Sequence, residues 1–212
     1  MTPAPQDVAA EAPRECPRCP RLVALREEVR AAEPDWWNGA VPSHGDPEAC
    51  LLIVGLAPGL KGAHRTGVPF IGDFSGTMLH ATLRHFGWAD GADPPILRQA
   101  MITNAVRCLP PQNRPTGAEI RQCRPFLARR IATLRRLRAI LCLGRIAHES
   151  VVRAFDARLA AHPFGHGAQH TIAGLRIFDS YHCSRYNLNT RRLTAEMFEA
   201  VFSEIGAYLS DK

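Results

Sequence analysis

Four short runs of almost unbroken apolar residues punctuate the chain, at 50–56, 101–106, 139–143 and 175–179. None shows the alternation of a half-exposed strand, and each is too short for a buried helix, so each predicts a strand covered on both faces. Between and after them, apolar residues recur at helical spacing over 75–86, 117–137, 145–155 and 194–209. Strands that alternate with helices predict an α/β fold: three α/β/α layers around a central, mostly parallel, four-stranded sheet. Residues 1–15 are rich in Pro and Ala and read as a frayed tail, leaving 16–212 as a single domain.

Such sheets take ligands in the crevice beyond the carboxyl ends of their strands. Three unusual segments fall there. Gly55-Leu56-Ala57-Pro58-Gly59 leaves the first strand, Thr103-Asn104-Ala105 lies in the second, and Ser180-Tyr181-His182 leaves the fourth.

Composition narrows the class. At 212 residues and 46% hydrophobic, the chain can build a proper core. No run approaches the about 18 apolar residues of a membrane span, and no secretory leader opens the sequence. A cytoplasmic, reducing setting is expected, in which seven cysteines do not form a disulfide framework. The net charge of +6 is uneven, with arginines crowded between Ile120 and Arg145. That suits a polyanion, although charge alone is also what a solvated surface shows.

Cys16 and Cys19 form a C-x-x-C pair in a Pro-rich turn, Cys108 closes the second strand and Cys123 follows it across a loop. Four such thiolates can hold a [4Fe–4S] cluster or a structural zinc, and the spacing alone does not choose. Cys50 and Cys142 fall in strands, where cysteine is a small hydrophobe.

The assembled segments resemble the uracil-DNA glycosylase superfamily, specifically its iron–sulfur branch and most closely family 5 (type b). The resemblance is carried by residues 55–59, by 65–76 (Arg-Thr-Gly-Val-Pro-Phe-Ile-Gly-Asp-Phe-Ser-Gly), by 103–111, by 164–167 and by Tyr181-His182-Cys183-Ser184-Arg185. It implies a monomer that hydrolyses the N-glycosidic bond of deoxyuridine in DNA, extending to other deaminated bases, at the nucleoid of a prokaryote. It also implies a [4Fe–4S] cluster on Cys16, Cys19, Cys108 and Cys123. Two positions depart from related patterns. Ala57 stands where family 4 has Glu, which argues against a uracil-only, family 4-like enzyme. Cys183 stands where Pro normally follows the motif His, which keeps open an idle, cluster-bearing DNA-damage binder; a zinc-bearing nucleic-acid module is a third alternative.

A base must leave the helix to be cut, and the cut builds an oxocarbenium-like sugar and a uracil anion. The resemblance gives Asp73 the attacking water or the sugar cation, although its position before a helix is also that of an N-cap. His182 would donate, as a neutral imidazole, to the charge growing on uracil O2. Asn104 would read O4 and N3–H, where cytosine presents a different pattern. Phe70 is a stacking platform or a core residue, and the amides of Ala57, Pro58 and Gly59 border the water. Ser184, Arg185, Lys61 and Arg65 would meet phosphates or fill the gap left by the flipped base.

Overall fold

The structure is a computed structural model and describes residues 9–211. In chain order it runs α1 (Pro20–Ala32), β1 (His44–Gly45), β2 (Leu51–Gly55), α2 (Ala63–Thr66), α3 (Phe74–His85), β3 (Ala89–Asp90), β4 (Ile96–Leu97), β5 (Ala100–Asn104) and α4 (Gly117–Thr133). It continues through β6 (Ala139–Leu143), α5 (Arg145–Ala154), β7 (Gln169–Ile172), β8 (Leu175–Ser180), α6 (Arg185–Asn189) and α7 (Ala195–Ser210). The four apolar runs are the four parallel strands, adjacent in the order β5-β2-β6-β8. The sheet nevertheless has six strands, not four, because β1 and β7 pair antiparallel along the two edges. Edge strands face solvent and carry His44 or Gln169 and His170, so no apolar run marks them.

The pleat sends successive side chains to opposite faces. Leu51 and Ile53 meet Leu79 and Leu83 of α3 and Phe198, Phe202 and Ile205 of α7. Leu52 and Val54 meet Leu127 and Ile131 of α4 and Val151 of α5. Two helical layers therefore sandwich the sheet. Each fully buried Leu, Ile or Phe contributes about 1.5–3 kcal/mol of transfer free energy. The α4 helix stops at Thr133, short of the expected 137, and opens on a capping box between Thr116 and Glu119. Among the described residues no helix is long and apolar enough to cross a membrane.

The expected tail needs correcting. Its first eight residues lie outside the described ones, but 9–15 pack against the body. Glu11 accepts from the buried Arg107 at 2.8 Å and from Arg130 Nε at 3.2 Å, and Ala12 is buried. Next to this strap a third core cluster collects Cys16, Leu22, Val106, Cys123 and Phe126.

A buried His148–Asp179 pair ties the second helical layer to the sheet. His148 Nδ1 lies 2.8 Å from Asp179 Oδ1 and Nε2 lies 2.8 Å from the His162 carbonyl oxygen, so both ring nitrogens face acceptors. Burial pulls the imidazole pKa down, but Asp179 more than offsets this and leaves it raised. The pair fixes the last turn of chain before Tyr181 and His182.

Candidate active site

Gly55 ends β2 directly across from Asn104 at the end of β5. Asn104 thus sits at the strand's carboxyl end, where an amide need not be matched by sheet packing. A Cβ on residue 55 would lie 2.5 Å from Asn104 Oδ1 and 2.7 Å from the Phe70 ring. Only glycine lets the amide and the ring approach so closely. Asn104 Oδ1 is shielded from solvent with no hydrogen-bond partner. An orphaned buried acceptor costs about 1–3 kcal/mol, a cost that a donor on a bound ligand would offset.

Phe70 is buried and holds φ +57°, a strained conformation for a bulky residue. Its ring stacks on that of His182 with centroids 6.0 Å apart and planes 25° from parallel. Burial lowers the His182 pKa, more than the nearby Asp73 charge raises it, so the imidazole is neutral near pH 7. Its carbonyl accepts from Asn187 Nδ2 at 2.8 Å. Asn187 also donates its backbone N–H to Ser184 Oγ, the N-cap of α6. Asn187 was not singled out from the sequence; its signal is its place three residues after a Ser N-cap.

Asp73 caps the helix with one oxygen and leaves the second out of the cap. Oδ1 accepts from Gly76 N at 2.9 Å and caps α3. Oδ2 is turned to the loop after β2: a Cβ on residue 62 would lie 2.6 Å from it and one on residue 59 would lie 3.5 Å. The second carboxylate oxygen therefore faces Gly59, the last residue of the 57–59 turn, and Gly62.

A cavity of about 440 Å³ opens on the other side of His182, floored by Leu143–Ala147 at the start of α5 and walled by Phe164, Tyr181 and Ser184. Asp73, Phe70 and Asn104 are not among its lining residues, but Leu56 and Ser75, close to them in the chain, are. Arg185 is exposed, with its guanidinium 5.0 Å above the Phe74 ring. Lys61 and Arg65 are exposed on the loop around α2. Cys183, the departure from the family pattern, is fully buried. Burial drives its thiol to a pKa of about 12, and it donates weakly to the Ser75 carbonyl at 3.5 Å. Such a thiol is no nucleophile.

Cys16, Cys19, Cys108 and Cys123 line one small cavity beside Phe126, with Cys19 as the N-cap residue of α1. The backbone N–H of Arg107 donates to Cys123 Sγ at 3.2 Å. Burial raises the Cys108 thiol to about 12 and the Cys123 thiol to about 11, values at which a thiol stays neutral unless a cation stabilises its thiolate. Among the described residues, three ligand atoms within 4.8 Å of one another occur only at Cys142, His148 and Asp179. One zinc ion, with bonds of about 2.3 Å, holds its sulfurs no more than about 4.6 Å apart. No three of these four sulfurs lie within 4.8 Å of one another, and the set of four cysteine donors around one small cavity is compatible with an iron–sulfur cluster.

Comparison with known proteins identifies the family. The family model described as "Uracil DNA glycosylase superfamily" matches residues 42–206. The chain is 45% identical to the type-5 uracil-DNA glycosylase of Thermus thermophilus, over 89% of this chain and 91% of that one. It is 38% identical to the type-5 uracil-DNA glycosylase of Pyrobaculum aerophilum, over 91% and 88%. Likeness to the type-4 uracil-DNA glycosylase of Saccharolobus solfataricus is lower, 29% over 92% and 84%. The chain belongs to the uracil DNA glycosylase superfamily, on its type-5 side.

Proposed function

We propose that this chain is a DNA repair glycosylase that hydrolyses the bond between uracil and deoxyribose, leaving an abasic site. The carrying observation is the orphaned Asn104 Oδ1, held close to Phe70, whose ring stacks on that of His182. Uracil N3–H is the donor it lacks, and Asn104 Nδ2 meets O4. Cytosine has no proton at N3, so it would leave the acceptor unpaired and lose about 1–3 kcal/mol. Phe70 supplies the stacking face.

The leaving base departs as an anion. His182, kept neutral by burial, donates a hydrogen bond to O2 and needs no proton transfer to do so. Asp73 Oδ2, negative and turned to the 57–59 turn, holds the attacking water with those backbone groups and stabilises the positive charge on the sugar. The apolar Ala57 leaves Asp73 as the carboxylate of this loop region. The absence of a carboxylate at position 57 is compatible with acceptance of other deaminated bases. Ser184 and Arg185, with Lys61 and Arg65, flank the site and meet phosphates.

Cys16, Cys19, Cys108 and Cys123 would hold a [4Fe–4S] cluster, which supplies a cross-link between the N-terminal segment and the chain after β5. Hydrolysis requires no redox step. The protein works as a monomer on DNA in the cytoplasm.

A labelled duplex with one uracil, treated with protein and then alkali, tests the reading together with iron and zinc analysis of the anaerobically prepared protein. Strand breaks and about four irons per chain are expected. Binding without breaks would identify the idle damage binder, and stoichiometric zinc without iron would overturn the cluster.

A further inference from the structure

The arginines of α4 and its flanks are not equally accounted for. Arg130 pairs with Glu11, Arg138 donates to the carbonyls of Tyr208 and Leu209, and Arg145 lies over the Phe164 ring. Arg121 and Arg124 have no ion-pair partner among the described residues, and neither does Arg153, one helix away on α5. These three side chains converge on one groove of about 190 Å³ between α4 and α5, lined also by Ile120, Ile146 and Glu149. Glu149 stands in the groove without pairing to any of them, and Asp156 is the other acidic neighbour of Arg124. Arg124 Nε is buried with no hydrogen-bond partner. Burial, with Arg153 and Arg121 close by, lowers the Arg124 pKa, so the cation is held at a cost that Asp156 only partly offsets.

We infer that the Arg121–Arg124–Arg153 groove is a phosphate-binding site that grips the DNA backbone away from the excised base. Ile146 lines both this groove and the cavity beside His182, so one strand of DNA can pass from one to the other along the start of α5. Guanidinium groups take phosphate oxygens in pairs, and an anion there supplies the missing acceptor for Arg124. Each phosphate neutralised releases condensed counterions, so the site shows itself as salt dependence. This inference rests on the glycosylase reading only for the identity of its polyanion as DNA.

The test measures affinity against salt for a duplex of three helical turns that carries one uncleavable abasic-site analogue. Wild type is compared with Arg121→Gln, with Arg153→Gln and with the triple Gln variant. Each exposed single variant should flatten the slope of log affinity against log salt by about 1, and the triple by about 2–3. Affinity of the triple near 0.1 M salt should fall tenfold or more. The single variants, both at exposed positions, keep the test valid if Arg124→Gln fails to fold. Unchanged slopes in the variants, with the wild type excising uracil, would overturn the groove and leave the glycosylase reading intact. Flattened slopes in the variants, with the wild type excising nothing, would uphold the groove and sink that reading. Loss of inorganic-phosphate binding by calorimetry, with the full DNA slope retained, would make this a small-anion site and overturn the DNA assignment.

Discussion

The cap that Asp73 makes and the charge proposed for it in excision fall on two different oxygens, and substitutions can separate them. Oδ1 caps α3 through Gly76 N, whereas Oδ2 faces Gly59 and Gly62. Asparagine keeps an oxygen for the cap and removes the charge; alanine removes both. A lost Asp cap costs about 1 kcal/mol, which lowers Tm by about 2–4 °C in a chain of this size. The charge has a different worth. A carboxylate about 5 Å from the sugar cation, at an effective dielectric constant of about 20, contributes about 3 kcal/mol to the transition state, or about 10²-fold in rate. Asp73→Asn should therefore melt within about 1 °C of wild type yet excise uracil about 10²–10³ times more slowly. Asp73→Ala should be equally slow and also less stable. Single-turnover excision with excess enzyme isolates chemistry, and calorimetry reads the stability. If Asp73→Asn excises at a near-normal rate, the residue is only a helix cap and backbone groups hold the water.

Gly55→Ala drives a methyl group into Asn104 and Phe70, an overpacking that costs about 1–3 kcal/mol; excision should fall at least tenfold, and retained wild-type rates would dissociate the site from this contact. Cys183→Pro and Cys183→Ser should both excise at rates equal to or above wild type, since the buried thiol makes only one weak bond to Ser75; loss of activity in both would show that the sulfur itself matters. His64 and His80 are buried with no hydrogen-bond partner for either nitrogen, and burial, which at His80 outweighs the charge of Asp93, lowers each pKa to about 4. The unfolded chain takes up these protons first, near pH 6.5, so stability should be full above that and decline as pH falls toward about 4. Urea midpoints that stay flat over that range, or His64→Gln and His80→Gln variants with an unaltered decline, would refute the assignment.

The parallel centre of the fold was legible because strands covered on both faces must be apolar throughout. The edges were not, since β1 and β7 are short and half-exposed. The first helix escaped for a related reason: its buried positions include Arg26, whose guanidinium donates to the Cys16 carbonyl, so no clean apolar face repeats. At the proposed site, the places of Asn104 and His182 at strand ends were legible in the sequence, whereas the position of Asp73 by itself read as a helix cap and its proposed role came from the resemblance. What they face was not legible. That Gly55 permits the Asn104–Phe70 approach, and that Asn104 Oδ1 is left without a partner, are properties of chain segments brought together by the sheet. The same holds for the arginines, whose crowding is plain in sequence while their division into paired and unpaired groups is set by neighbours far along the chain.

The strap formed by Glu11 has a consequence in time. Its partners Arg107 and Arg130 lie 96 and 119 residues downstream, and the thiols of Cys16 and Cys19 likewise wait for Cys108 and Cys123. A ribosome adds about 5–20 residues per second, so these first segments spend several seconds outside it before their partners are made. The N-terminal end is thus the earliest part synthesised and among the last to find its place. Until then its two thiols are open to oxidants, and a cell short of reductant would damage the nascent chain there before the sheet's second half exists.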